Sequence, residues 1–497
     1  MLTGRILDYA VVCGYLVLVL GIGLRLGRNQ KTAQAFLLGD RSLPWFAVLG
    51  SIVATETSSV TFLSVPGLSF AEGGSLLFLQ LTLGYILGRL LVVALFLPQY
   101  FKGALYTAYQ VLEYRFGGAT KQVASASFLL MRNLADGLRL YLTAIVLQKL
   151  LGWDLIFSVL LMAVVTALYT YYGGLRSVVW NDCLQLVIYL LGAMAALIVI
   201  ALEVGETTGS AGGLLTDGLA QIVQFGASTN RLQLFDFQLS LSRPYTLWSG
   251  IIGGIFVALA THGTDQLMVQ RYLAARGLRE AAKALAISGV VVAGQFALFL
   301  FLGVGLAAYY QLVEPGVRLS SPDQALAHFV VNGLPAGISG LVIAAVLAAA
   351  MSTLSSSLNA SASAAVNDFY AVWLKQRGGE PGDLLIPSRL VTLACAIVQT
   401  AVALTGPFWA KTVIENVMAI ATITSGVTLG IFLLAVTVPR ATQSAALVGF
   451  VTGCAVDAAI VFGTAVAWPW YAVVGATTVL ATGFLVDTVT RCRRKLT

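Results

Sequence analysis

The stretch LVIAAVLAAAMSTLSSSLNASASAAV, Leu341 to Val366, is apolar enough to lie in a bilayer, yet it carries Ser352, Ser355, Ser356, Asn359 and Ser363. The helical spacing i, i+3, i+4, i+7, i+11 puts all five on one face. Hydrocarbon offers a hydroxyl no partner, so such a face must meet another helix, water or a bound ion. Two readings follow from the stripe alone. One is small-residue helix packing with a few interhelical hydrogen bonds; the other is an ion or solute pathway.

The rest of the chain sets that stripe in a membrane. Of 497 residues, 58% are hydrophobic and 10% are charged, whereas soluble domains carry about 25% charged residues. Apolar stretches of membrane-crossing length recur near 7–27, 44–71, 75–99, 122–151, 153–172, 177–203, 246–270, 280–309, 335–367, 387–406, 412–437, 441–463 and 466–488. The fold class expected is therefore an all-α multi-pass membrane protein with about thirteen transmembrane helices. The first run, Leu7 to Leu24, is too long for a signal-peptide core, and Arg25 and Arg28 follow it where a small-residue cleavage site would stand.

Basic residues orient the spans. With the N-terminus outside, twenty of the 29 Lys and Arg residues fall on the inner side, among them Arg271, Arg276, Arg279 and Lys283 after the seventh span. The outer side holds Arg5, Lys149, Arg231, Arg243, Arg318 and Lys411, while Arg89, Arg132 and Arg139 lie within spans. That bias places the C-terminus in the cytoplasm of a plasma (inner) membrane, as an odd span count also requires. The net charge of +7 then reflects topology and calls for no nucleic-acid partner. Cys13, Cys183, Cys395, Cys454 and Cys492 are scattered, His262 and His328 are the only histidines, and no HExxH or CxxC occurs. Metal- or thiol-dependent enzyme chemistry is disfavoured.

Two spans break the pattern. The second, PWFAVLGSIVATETSSVTFLSVPG (44–67), has Thr55, Glu56, Thr57, Ser58 and Ser59 at its centre. The seventh, LWSGIIGGIFVALATHGTDQLMVQR (247–271), has Thr261, His262, Gly263, Thr264 and Asp265. They are five spans apart, so each opens a five-helix block, and an odd number of crossings inverts one block relative to the other. Interrupted helices at matching positions of inverted repeats point to the central site of a secondary transporter. Ordinary helices whose polar residues meet neighbours remain the alternative. The chain divides accordingly into 1–43 (first helix and inner loop), 44–203 (first repeat), 204–245 (outer loop), 246–437 (second repeat) and 438–497 (peripheral helices and basic tail). The outer connection from Glu206 to Pro244, with GSAGG and LFDFQLSLSRP, reads as a partly ordered loop; 310–333 and 375–387 read as turn-rich connectors.

At this point the chain resembles the solute:sodium symporter family, which has the leucine-transporter-type inverted-repeat fold. SIVATETSSVTFLSVPG (51–67), YRFG (114–117), YYGGLRSVVWNDCLQ (171–185), DQLMVQRYLAAR (265–276) and LAAAMSTLSSSLNA (347–360) carry the resemblance in family order. It implies Na⁺ as coupling ion, held by the backbone carbonyls of Ala54, Thr57 and Ala349 and the hydroxyls of Ser352 and Thr353. Oxygen donors suit a hard cation. Some members bind a second sodium, whose pattern is similar to Asp182, Ser352, Ser355 and Ser356 here; Asp182 otherwise reads as a solvated acid near the membrane surface.

Substrate residues are less determined. Sugar-transporting relatives present a Glu-Gln pair where this chain has Val60 and Thr61, and a span-11 glutamine where it has Met418, which counts against a hexose. Charge stands in their place. Glu56 lies in the first break, and Arg132, Asp136 and Arg139 share a face at i, i+4, i+7. Arginine grips carboxylates through two parallel hydrogen bonds, and sialic-acid-transporting relatives use an arginine on this helix. Glu56, Ser58, Thr61, Asp136, Arg139, His262 and Asp265 are the candidate substrate residues. The competing reading is a buried network in which Glu56, Asp136 and the two arginines neutralise one another; His262 and Asp265 equally could line the inner exit or cap the second half-helix. The expected function is import of a small polar organic solute, an organic acid or amino-acid-like compound, driven by sodium through alternating access. A sugar:sodium symporter and a proton-coupled transporter of the same fold are the alternatives. An ion channel would need a continuous pore and is disfavoured, and no obligatory protein partner is evident.

Overall fold

The structure, a computed structural model, describes residues 2–28, 30–207, 214–380, 382–409 and 411–496. The GSAGG stretch and the side chains of Arg5, Lys411, Met418 and the basic tail lie outside the described residues. The longer helices are α1 (Leu2–Gly27), α2 (Trp45–Glu56), α3 (Ser59–Phe70), α4 (Leu79–Leu95), α5 (Gly118–Leu151), α6 (Leu155–Glu206), α7 (Leu214–Ser228), α8 (Gly254–Gly263), α9 (Gln266–Leu273), α10 (Leu278–Leu312), α11 (Gln324–Asn332), α12 (Ile338–Ala365), α13 (Leu385–Thr405), α14 (Lys411–Thr437), α15 (Gln443–Gly463) and α16 (Tyr471–Leu496).

Eight helical stretches among the described residues are long and apolar enough to cross a membrane, or nine when α2 and α3, bent by 66° across their break, count as one span. The sequence reading expects about thirteen. Part of the difference is α6, whose 52 residues rise about 78 Å at 1.5 Å each, well over one hydrocarbon thickness of about 30 Å. Its path is interrupted at Gly174 (φ 55°, ψ −160°), between the two apolar runs expected as separate spans. The helices Leu79–Leu95 and Ser249–Gly263 are apolar but shorter than a full crossing.

Helix α12 is the buried centre, with 89% of its apolar window inside the protein. Its alanines and serines let neighbours approach closely; Gly192 of α6, for instance, lies against Ala345. Around α12 pack α6, α5, α1, α13 and α2. All five stripe residues are fully buried, and the stripe is a seam: Ser352 bonds α2, Asn359 bonds Phe36 and Gln270, and Ser363 bonds Tyr106. Helix α4 meets the helix Ser249–Gly263 backbone to backbone. A Cβ on Gly84 would stand 2.2 Å from Gly250 O, and one on Gly254 2.8 Å from Leu81 O.

Three expectations need correction. The connection Glu206–Pro244 contains a 15-residue helix, α7, packed on α6, where Gly218 sits flat against Ala201 O and Gly205 against Leu214 O; tertiary contact through two glycines orders what reads as loop. The connection 310–333 likewise holds α11. Arg271, counted above with the inner-side charges, is fully buried on α9.

Gly174 takes a positive φ, and a Cβ there would lie 2.5 Å from Phe36 O. Gly174→Ala should cost about 1–3 kcal/mol of strain, read as a lower thermal midpoint in detergent. Gly294→Ala, on α10 with open space around it, should leave the midpoint unchanged or raise it. Equal midpoints for the two variants would remove the interruption at Gly174 as a structural requirement.

Candidate functional site

Breaking a helix strands its last carbonyls. At the end of α2, side chains collect them. Thr57 Oγ1 donates to Val53 O at 3.3 Å, and Tyr189 reaches the same oxygen at 3.4 Å. Ser352 Oγ lies 3.1 Å from Ala54 O and 3.2 Å from Ala349 O, while Thr353 Oγ1 lies 3.4 Å from Thr55 O and 3.3 Å from Ala349 O. Ala54, Ala349, Ser352 and Thr353 thus converge between α2 and α12. The side chain of Thr57 is held by Gln295 of α10. A helix C-terminus carries partial negative charge, so this cluster of oxygens is suited to a hard cation. Among the described residues no cluster of His, Cys, Asp and Glu could hold a metal.

The other half of the break faces the opposite way. Ser58 caps α3, accepting from Thr61 N at 3.2 Å, and the positive end of that helix borders a cavity of about 400 Å³. Glu56, Ser58, Val60, Thr61, Arg139, His262 and Asp265 line it, with Arg132, Phe78, Tyr85, Phe296 and Thr353. Six of the seven candidate substrate residues therefore meet at one surface. Asp136 is the exception. It is fully buried behind the wall, 2.5 Å from Arg139 Nη1 and 3.7 Å from Arg132 Nη1.

The second break is also real. Helix α8 ends at Gly263, Thr264 and Asp265 leave helical geometry, and Asp265 caps α9 through Leu267 N at 2.8 Å. Its other carboxylate oxygen pairs with Arg132 at 2.7 Å, so Asp265 both caps the half-helix and lines the cavity. The charges do not form the single network that was one of the two expectations. Asp136 and Asp265 hold Arg132 and Arg139. Glu56 pairs instead with Arg89 of α4, and His262 Nε2 lies 3.1 Å from the same guanidinium. Arg89 is fully buried whereas the side chain of Arg139 is 27% exposed to the cavity.

Asp182 is not a solvated interfacial acid, because it is fully buried. Its Oδ2 accepts from Ser51 at 2.5 Å, Thr55 at 3.4 Å, Ser356 at 3.5 Å and Arg271 Nη2 at 3.3 Å. Its Oδ1 is buried without a hydrogen-bond partner. Ser352 and Ser355 are not among its bonded partners; Ser355 donates to Ser352 O at 3.2 Å. Arg271 ties α9 to three other helices here, bonding Ser51 and Thr55 of α2, Ser356 of α12 and Asp182 of α6. Sequence reasoning left Arg89, Arg271 and Gln295 out of the site. Arg89 carried a signal, since a lone guanidinium within a span demands a carboxylate. Arg271 read as a loop residue because it stands at the end of its apolar run.

Two interrupted helices, one offering carbonyls to a cation and the other bordering a charged cavity, define an ion-coupled secondary transporter. The chain belongs to the sodium:solute symporter family, whose profile matches residues 36–453; it is a sodium-coupled symporter and a multi-pass membrane protein, not an enzyme. It is similar to the sodium/iodide cotransporter of Homo sapiens, 29% identical over 92% of this chain and 70% of that protein. It is also similar to the sodium-coupled monocarboxylate transporter 2 of Bos taurus, 26% identical over 90% of this chain and 71% of that protein. A solved structure of a Na⁺-coupled sialic acid symporter, substrate-bound and outward-open, superimposes with a TM-score of 0.87 at 27% identity, covering 97% of this chain and 98% of that one.

Removing one partner of a buried ion pair costs about 3–5 kcal/mol, because the other charge is stranded. Arg89→Leu should therefore depress expression and thermal stability, and adding Glu56→Gln should restore much of both. If Arg89→Leu alone is as stable as the parent protein, the Glu56–Arg89 pair is not holding the break.

Proposed function

We propose that this chain imports a small organic carboxylate together with sodium, by alternating access. The observation that carries the reading is Arg139: its guanidinium lines the cavity partly uncovered, beside the positive end of α3 at Ser58. An anion placed there meets a planar donor and a helix N-terminus together. The absence of a Glu-Gln pair at Val60 and Thr61 counts against a sugar. The relatives named above carry iodide, monocarboxylates and sialic acid by their names, all of them anions. Glu56, Ser58, Thr61, His262 and Asp265 form the remaining wall, and Asp136 sets the position of Arg139.

The coupling sodium is assigned to the carbonyls of Ala54, Thr57 and Ala349 and the hydroxyls of Ser352 and Thr353. An ion there clamps α2 to α12 and so binds best in the conformation that brings both together. A second sodium is assigned to Asp182, whose unpartnered Oδ1 supplies the anionic oxygen, with Ser352, Ser355 and Ser356 on the facing helix. Thirteen crossings follow if α2 and α3 count as one span, α6 counts as two, and α5, α4 and the helix Ser249–Gly263 are crossings. The two breaks then open inverted repeats over 44–203 and 246–437, flanked by 1–43, 204–245 and 438–497, with the N-terminus outside and the C-terminus cytoplasmic.

Ser352→Ala and Thr353→Ala each remove one ligand while sparing helix packing. Each should weaken the sodium dependence of uptake about tenfold with expression retained. Unchanged sodium affinity in both variants would place the ion elsewhere.

A thermal-shift screen against a panel of organic acids, sugars and amino acids identifies the solute, since a true substrate stabilises more with sodium present. With that solute, Arg139→Lys should raise KM about tenfold and Arg139→Gln about a hundredfold, both with normal expression. If Arg139 serves only to neutralise Asp136, both variants should express poorly and Asp136→Asn should rescue them. That outcome, or stabilisation by sugars alone, would end the carboxylate reading.

A further inference from the structure

The segment Leu234–Pro244, LFDFQLSLSRP, forms neither helix nor strand, and from Asp236 to Ser242 its residues alternate polar and apolar. The apolar ones point out: Phe237 is 68% exposed, Leu239 84% and Leu241 60%. Of the polar residues, Asp236 and Ser240 are partly covered, while Gln238 and Ser242 are exposed. Asp236 N donates to Gln80 Oε1 at 3.1 Å, and the Asp236 side chain is 14% exposed. Three large apolar side chains exposed at alternate positions call for a partner.

The attachments of the segment show what that partner is. Trp248 Nε1 donates to Phe237 O at 3.2 Å, and Ala467 N donates to Leu241 O at 2.8 Å. Trp248 stands at the start of the apolar helix Ser249–Gly263, and Ala467 in the turn between α15 and α16. The segment is thus stitched to the ends of apolar helices. Trp248, Ile252 and Phe462 on those helices are exposed as well, as on a wall that meets lipid. An irregular backbone cannot enter the hydrocarbon core, but it can lie at the boundary where headgroups and water serve its polar groups. Arg243, 58% exposed at its end, suits the phosphate level. Pairing with a strand of a second copy is the weaker fit, because the carbonyls of Phe235, Asp236, Phe237 and Leu241 already accept hydrogen bonds from within the chain.

We propose that Phe237, Leu239 and Leu241 seat this segment on a phospholipid leaflet, as a strap anchored in the headgroup–acyl boundary. The strap bears on the transport cavity. Gln80 holds it at both Asp236 and Tyr245, and the Tyr245 ring packs edge-on against Phe78 with centroids 5.4 Å apart. Phe78 lines the cavity. The leaflet therefore holds the aromatic cover of the site in place.

The test places photoreactive benzoylphenylalanine at position 239, at 237, or at exposed Glu72 as a control. Each variant is reconstituted as the full chain into phosphatidylcholine–phosphatidylglycerol vesicles, and only sodium-dependent transporters are illuminated. Mass-shifted phospholipid adducts at 237 and 239, several-fold above Glu72, are expected. A covalent dimer in their place assigns the face to a second copy and overturns the proposal. Adducts no more frequent than at Glu72 show a face bathed in water and overturn it equally.

Discussion

A backbone group inside a bilayer has no water to turn to, and everything around the first break follows from that. Interrupting α2 at Thr57 strands carbonyls that hydroxyls must collect. Thr57, Tyr189, Ser352 and Thr353 do so, which is why a helix as apolar as α12 carries a stripe of serines. The stripe extends beyond the break because α12 is also the element that other interrupted segments lean on, from Phe36 to Tyr106. One constraint thus produces both a cluster of oxygens suited to a hard cation and the central packing seam.

The charges obey the same rule by another route. Among the described residues, arginines in or against the membrane-embedded part are anchored by carboxylates: Arg89 by Glu56, Arg132 by Asp265, Arg271 by Asp182. Arg139 differs, since Asp136 reaches it from behind and leaves the guanidinium open to the cavity. The difference in exposure separates a residue spent on structure from one with donors to spare.

Much of this was legible in the sequence. Period and polarity alone locate both breaks, since TETSS and THGTD interrupt runs that hydrocarbon would otherwise accept whole. The shared face of Arg132, Asp136 and Arg139 follows from spacing on one helix, and the structure keeps it. Pairings between elements were not legible. Glu56 could have met any of three intramembrane arginines, and only the packing of α4 against the first break selects Arg89. Arg271 was misplaced because hydropathy sees the end of an apolar run and not the polar pocket that α9 enters. Helix α7 was missed although Leu215, Leu219, Ile222 and Phe225 recur with helical period, because the glycine-rich stretch before it let the whole connection read as loop.

The backbone contact of α4 with the helix Ser249–Gly263 has a mechanical meaning. Where Gly84 and Gly254 let two main chains touch, no side-chain layer remains to shear, so neither helix can roll or slide without the other. Arg89 rides on one member of this block and His262 on the other, and both engage Glu56. What looks like a local ion pair is therefore a coupling pin: it fastens the hinge of one interrupted helix to a stiff two-helix lever that ends at the break of the other.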